Sequence, residues 1–538
     1  MISLRAFLLA PLFALAIPAF AADEAASPGK PDPEAHEKKP AEAAEKKDAK
    51  EQPKDAGKEE KPKEKPGHVT LGGVDIHYIV QTGMMPLLKD DGTPRANVFY
   101  VYYAVTDAKG KRLAAQDAGS RPITFCFNGG PGASAVWLHL GGLGPRRLDL
   151  PADGLTPQTV TKIVDNPNSI LDATDLVFVD PVSTGLSRAA KGEKADQFFN
   201  VEEDIQAAGE FVRLFTTREQ RWESPKYLCG ESYGVMRVSG LAGYLQEKHG
   251  LFLEGLILMS GLVNFQTLDA NTGNDLPYVV FLPAMTAAAQ YHKKLAPDLQ
   301  ADLDKAINAS REWAQGEYTL ALQKGGELTP AERQKIAEKL ASFTGLTAEQ
   351  AEDQDLRIDP SFFRKNLLRK EGKIIGRFDA RVIGDDGDRS DPRPEYDPSF
   401  SNISGGFSSA VNAYIRGELG YESDFPYHIL APLPWKWSGF EGRYVATDDK
   451  LAHAMKTNPR LRVLVLTGRR DLAVPEGSMR YSIAHMQIPR KIRANISFER
   501  FESGHMMYLY RPDAEKLRNN LTQFITEKPP VVAAAGTN

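Results

Sequence analysis

Short apolar runs recur along the chain, several of them ending in a glycine- or proline-containing loop, with helically spaced stretches between them. Val74 to Gln81 alternates as a strand, and Ala96 to Thr106 is rich in β-branched and aromatic residues. Arg121 to Phe127, Asp175 to Asp180, Pro225 to Cys229, Leu253 to Met259 and Arg462 to Leu466 have the length and composition of buried strands. Val201 to Phe215 has helical spacing. Buried strands alternating with helices predict a mostly parallel α/β sheet. The period changes in the middle. Ala287 to Leu295, Leu299 to Leu322 and Thr329 to Phe343 repeat at helical spacing, and Pro330 marks a helix start. Asp385 to Pro398 is acidic and proline-containing, so it reads as loop. The sheet pattern resumes near Leu461. The pattern thus predicts an α/β core over 67–264, a mainly helical cap inserted over 265–440, the rest of the core over 441–527, and a flexible tail over 528–538.

The N-terminus stands apart from this pattern. Met1 to Ala22 has Arg5 near its start, an apolar run from Ala6 to Ile17, and Ala19-Phe20-Ala21 at its end. That is a secretory signal, cleaved after Ala21 or Ala22. The run is short for a bilayer-spanning anchor, and no cysteine follows it to carry a lipid. A periplasmic or secreted protein is expected, without membrane contact after cleavage. Residues 23–66 form a Lys/Glu/Ala/Pro linker without an aromatic residue, which cannot bury enough apolar surface to offset the entropy of ordering. Over all 538 residues the net charge is −5 and 42% of residues are hydrophobic, so nothing marks a nucleic-acid partner. Two cysteines exclude a disulfide scaffold and a multi-cysteine zinc site. No metal or cofactor is expected, and the oligomeric state is left open.

The candidate chemistry begins at Gly230-Glu231-Ser232-Tyr233-Gly234, a G-x-S-x-G pattern entered from a strand-like run. In such an elbow the serine sits on a tight strand-to-helix turn with its hydroxyl presented above the sheet edge. Side chains at the flanking glycines would collide with the neighbouring strand and helix. A serine hydroxyl needs a base, and the base needs an orienting acid. On this architecture the chain order is Ser, then Asp or Glu, then His. Asp471 lies just past the strand Val463 to Leu466, and His505 follows Gly504 after the strand-like Phe498 to Phe501. Ser232, Asp471 and His505 are therefore the predicted triad. The oxyanion would be bound by the backbone N–H of Tyr233 and by that of Gly130, in the loop Asn128-Gly129-Gly130-Pro131-Gly132.

These segments, together with Asn166-Pro167, Asp180-Pro181, Gly185 and Gly504-His505-Met506, resemble the serine carboxypeptidases of the S10 type. The resemblance runs from about residue 97 to residue 512, and Glu231 before the serine separates it from other G-x-S-x-G hydrolases. It implies an α/β-hydrolase fold with an inserted cap. It implies removal of C-terminal residues, through an acyl-enzyme on Ser232, from peptides with a free C-terminus. It also implies that Asn128, Gly129 and Glu231 hydrogen-bond the terminal carboxylate, which Glu231 can do only when it holds a proton.

Two positions depart from the family. Ala133 stands where the family has Cys, and Gly142, in Gly141-Gly142-Leu143-Gly144-Pro145, stands where it has Glu. Without that second acid, Glu231 is expected to keep a more ordinary pKa and the pH preference to be less acidic. His139 or Arg146, which flank the position, could compensate for the missing acid, and each otherwise reads as a plain loop residue. Cys126 and Cys229, just before the two loops, read as buried free thiols, with a disulfide left open by the export signal. Other functions also stay open. An esterase or acyltransferase would use the same triad, and Gly142 favours it by weakening carboxylate recognition. A non-catalytic binding protein on this shell would generally lack a triad member, and none is lacking here.

Overall fold

The computed structural model describes residues 61–527, apart from residues 108, 114 and 158–160. The signal segment, most of the linker and the tail over 528–538 lie outside the described residues.

Nine strands form the path of the main sheet: β1 (Lys63–Leu71), β2 (Val74–Leu88), β3 (Pro94–Val105), β4 (Ile123–Phe127), β5 (Asp175–Val179), β6 (Lys226–Glu231), β7 (Gly255–Met259), β8 (Arg462–Gly468) and β9 (Ile496–Phe501). Their spatial order is β1-β2-β3-β5-β4-β6-β7-β8-β9, with the short strand Arg188–Ala189 paired on β3. From β5 to β9 all neighbours are parallel. The β1-β2-β3 meander is antiparallel and joins β5 antiparallel. β1 begins at Lys63, inside the segment expected to be linker. Its first residues are charged and exposed on an edge strand, so they carry no apolar signal.

Alternation divides each central strand between two cores. Phe125, Leu228, Leu258 and Val465 face one side, packed with Phe211 and Phe215 of α1 (Val201–Arg218) and Leu241 and Leu245 of α2 (Tyr233–His249). Cys126, Cys229, Ile257 and Leu464 face the other side. Covering both faces gives strands that are apolar throughout rather than alternating. α1 starts where Asn200 accepts from Glu203 N–H, with Glu202, Glu203 and Asp204 in its first turn.

Between β7 and β8 the chain leaves the sheet. α3 (Leu276–Tyr291) and α4 (Pro330–Thr344) pack around Met285, Leu340, Phe343 and Phe363 as a core of their own. α4 opens with a Thr329–Glu332 capping box. The stretch 299–322 is not one helix: Leu303–Trp313 and Thr319–Lys324 are joined by a widened turn at Ala314–Tyr318. α5 (Pro398–Asn412) belongs elsewhere. Its Phe407 and Val411 pack on the second face of the sheet, beside Leu521 and Phe524 of α6 (Arg511–Thr526). The inserted region therefore has two parts, a helical cap and a return segment that covers the sheet.

Candidate active site

Ser232 is the hinge between β6 and α2, with φ 60° and ψ −129°. A non-glycine residue in this region costs on the order of 1–3 kcal/mol and is held by its surroundings. Here the Ser232 N–H donates to the Met259 carbonyl at 3.0 Å, and the Ser232 carbonyl accepts from Val235 N–H at 2.9 Å. The flanking glycines leave no room for a side chain. A Cβ on Gly230 would stand 2.3 Å from the Gly234 oxygen, and one on Gly234 would stand 2.5 Å from the Phe127 oxygen.

Register brings the three predicted triad members to one edge of the sheet. Glu231 pairs with Met259 and Met259 with Leu466, so β6, β7 and β8 end nearly level. Ser232 follows β6 directly, Asp471 lies in the loop after β8, and His505 lies in the loop after β9. His505 Nδ1 and Asp471 Oδ2 are 2.7 Å apart, and both side chains are buried. The other Asp471 oxygen accepts from Ala473 and Val474 N–H at 2.8 and 2.9 Å. The carboxylate is thus fixed on both oxygens. Burial alone would lower the pKa of His505, but the Asp471 charge, with a contribution from Glu231, outweighs it and holds the imidazole above its ordinary value. A base so held is poised to accept a proton and to be stabilised as imidazolium.

The loop Asn128–Gly132 lies against the elbow. A Cβ on Gly129 would stand 2.5 Å from Tyr233 N and 2.8 Å from Ser232 Cβ. Gly130 is exposed with φ 97°, whereas Gly129 is buried behind it. The Tyr233 hydroxyl donates to Asp204 at 3.1 Å, which anchors the ring away from the elbow. The Tyr233 backbone N–H is at the first position of α2, where a helix has no internal acceptor for it.

Glu231 and Asn128 are both buried to 2% exposure. Asn128 Oδ1 accepts from Leu138 N–H at 3.0 Å. Burial pushes Glu231 up to about 7; His505, the Tyr508 hydroxyl and the Asn128 side chain hold it back, while Asp471 adds to the rise. This corrects the expectation of an ordinary Glu231. No second acid is needed, because desolvation of the carboxylate is enough. The space at Gly142 is filled instead by Tyr508: a Cβ on Gly142 would stand 2.9 Å from both Cβ and Cγ of that ring. The Tyr508 hydroxyl donates to Glu231 Oε1 at 3.2 Å.

His139 and Arg146 do not partner Glu231. His139 is buried, 2.6 Å from the Tyr103 hydroxyl and stacked on Phe178 at 4.4 Å, and burial pushes it down to about 3. It is a core residue rather than the loop residue expected. Arg146 binds Glu418 and Asp165. Cys126 and Cys229 are buried, unbridged register partners on β4 and β6.

A contact that no sequence pattern announced closes the site. The inserted segment 377–380 runs between the Asp471 and His505 loops. Phe378 O accepts from His505 N–H at 2.6 Å, and the Phe378 ring lies 5.0 Å from the imidazole. Asp379 Oδ2 accepts from Gly504 N–H at 3.2 Å. Leu472 N–H donates to Arg377 O and Ala380 N–H to Arg470 O, each at 3.0 Å. Among the described residues there is no cluster of His, Cys, Asp and Glu suited to a metal ion.

A family profile described as serine carboxypeptidase matches residues 88–345. The matched part includes the Asn128–Gly132 loop and the elbow. It ends before Asp471 and His505, whose pairing is a finding of the geometry above. No curated protein matches the chain. It is similar to a solved proline iminopeptidase of Mycobacterium smegmatis, with 13% identity over 86% of this chain and 97% of that one and a TM-score of 0.33. It is also similar to a serine hydrolase of Cycloclasticus zankles, with 12% identity over 83% and 97% of the two chains and a TM-score of 0.33. A bacterial membrane phospholipase A shares 11% identity over 82% and 86%, with a TM-score of 0.34. With its parallel sheet, elbow and strand-end acid and base, the protein is a serine hydrolase of the α/β-hydrolase fold.

Proposed function

We propose that the protein is an exported serine carboxypeptidase that removes C-terminal residues from peptides. The observation that carries this is Glu231, a buried carboxyl beside the nucleophile whose pKa of about 7 leaves it largely protonated in mildly acidic conditions. A neutral carboxyl can donate a hydrogen bond to a substrate carboxylate, and an ionised one would repel it.

In the proposed reaction Asn128, the Gly129 loop and protonated Glu231 hold the terminal carboxylate. Ser232 Oγ attacks the last peptide carbonyl while His505 Nε2 takes its proton, and Asp471 keeps the other imidazole N–H in place. The N–H groups of Gly130 and Tyr233 bind the oxyanion. His505 then protonates the leaving amine, and the terminal amino acid departs. Water, deprotonated by His505, attacks the acyl-Ser232 ester and releases the shortened peptide.

Comparing a blocked dipeptide with a free C-terminus, its C-terminal amide and a simple ester tests the reading. The free acid should be strongly preferred to the amide. Equal turnover of acid and amide would refute carboxypeptidase action and leave an esterase or acyltransferase. Tyr508, packed against Gly142 and bonded to Glu231, supports the carboxypeptidase reading by giving that carboxyl a neutral partner. Export is part of the proposal, and mature protein from the periplasm or medium should begin at Ala22 or Asp23 by N-terminal sequencing.

A further inference from the structure

Tyr508 bonds to Glu231, and the proposed reaction leaves the tyrosine itself without a role. The tyrosine arrives on the same loop as the histidine, in a turn of helix at Met507–Leu509. Its ring is seated where Gly141 and Gly142 leave space: Cβ atoms there would meet it at 2.6 and 2.9 Å. Phe407 of α5 closes that space from the far side, 3.2 Å from the same Gly141 position. The ring therefore has one place to lie, and its hydroxyl reaches Glu231 Oε1 at 3.2 Å. Burial and the neighbouring carboxyl both push the phenol well above its ordinary pKa, so it keeps its proton and serves as donor. The second carboxyl oxygen, Oε2, is buried without a well-formed hydrogen bond. A buried polar atom whose hydrogen bonding is incomplete is costly, up to about 1–3 kcal/mol, and calls for an explanation.

We propose that Tyr508 is a positioning residue for substrate recognition: by donating to Oε1 it makes that oxygen the acceptor and places the proton of neutral Glu231 on Oε2, as a donor to the α-carboxylate of a peptide. This rests on the carboxypeptidase reading. The oxygen that lacks a well-formed hydrogen bond is then the one the substrate satisfies. A phenol does this without adding charge, whereas a second carboxyl would share the proton and titrate with Glu231. The other titratable groups facing Glu231 are His505, Asp471 and, on the strand below, Cys229. None of these fixes which oxygen is protonated.

Tyr508→Phe keeps the ring and removes the donor. In the mature full-length protein, KM for the free-acid dipeptide should rise roughly tenfold at pH 6, with a much smaller change in kcat, as expected for loss of one hydrogen bond to a charged or polarised group. Its alkaline limb should move to higher pH, because the hydroxyl favours the ionised form of Glu231. Gly142→Ala, whose Cβ would displace the ring, should change KM in the same direction. If the wild type prefers the free acid but Tyr508→Phe changes neither KM nor the limb, the tyrosine is only filling space and the inference fails alone. If the wild type turns over acid and amide equally, the carboxypeptidase reading fails and takes this role with it.

Discussion

Replacing Glu231 by glutamine makes the group beside Ser232 permanently neutral while nearly preserving its shape. In the wild type, burial sets this carboxyl at about 7. Roughly a tenth of the molecules keep the proton at pH 8 and about a hundredth at pH 9, since each pH unit beyond the pKa is a factor of ten. The kcat/KM for a free-acid dipeptide should therefore fall toward tenfold per pH unit above about 7. In Glu231→Gln that fall should be absent. The acid limb should move to lower pH as well, because Glu231 helps to hold His505 above its ordinary value. Both steps belong to a coupled pair and are read as macroscopic values. The assay is kcat/KM for the free acid and its amide from pH 5 to pH 9 in both proteins. The ratio of mutant to wild type for the free acid should climb across pH 7 to 9. Parallel profiles of the two proteins in that range would refute the reasoning. So would an equal alkaline fall with the amide, which has no carboxylate to be repelled.

Asp471→Asn should lower kcat about 10⁴-fold with a small change in KM, because the imidazole loses its fixed tautomer, and steady-state kinetics would register it. Asp379→Ala removes the acceptor of Gly504 N–H and the partner of the buried Arg381, bonded at 2.7 Å. It should destabilise the fold by roughly 3 kcal/mol in urea melts and reduce kcat, with Asp379→Asn milder on both counts. Stability should fall between pH 5 and pH 8. Glu231 and Asp180 are each pushed by burial to about 7, from ordinary values of 4.5 and 3.8. The stabilisation from holding these protons is complete below about pH 4 and is lost as pH rises through 7, on the order of 3 kcal/mol per carboxyl. A melting temperature that holds level or rises from pH 5 to pH 8 would count against it, and Glu231→Gln should show a shallower decline.

The elbow was legible because its requirements are local: a strand, a turn without room for side chains at Gly230 and Gly234, and a helix. Asp471 and His505 were legible through chain order and strand ends, which the topology then aligned. Tyr508 was not. Its role depends on a vacancy opened by Gly141 and Gly142, far away in sequence, and a double glycine does not say what enters the space it leaves. The raised pKa of Glu231 was hidden for the same reason: charges are visible in a sequence, whereas burial, the larger effect, is not. Phe378 and Asp379 escaped because a backbone carbonyl and a loop carboxylate carry no periodicity. The N-terminal strand was hidden by its own surface. Lys63 to Pro66 are exposed, and an edge strand with charged side chains has the composition of a linker. Within the insertion, helical spacing was visible, but nothing in it distinguished the helices of the cap from α5, which packs on the sheet.

The segment Arg377–Ala380 makes the insertion something other than an accessory that can be cut away or exchanged. Four backbone groups of the acid and base loops, at Arg470, Leu472, Gly504 and His505, find their partners in it. A minimal enzyme built by joining β7 directly to β8 would keep the nucleophile and its glycines but leave those groups unpaired. A chimera that borrows a relative's cap to change substrate choice would need its splice points placed so that this short stretch stays native. The boundary between interchangeable and indispensable chain thus runs through the middle of the insertion, rather than at its two ends.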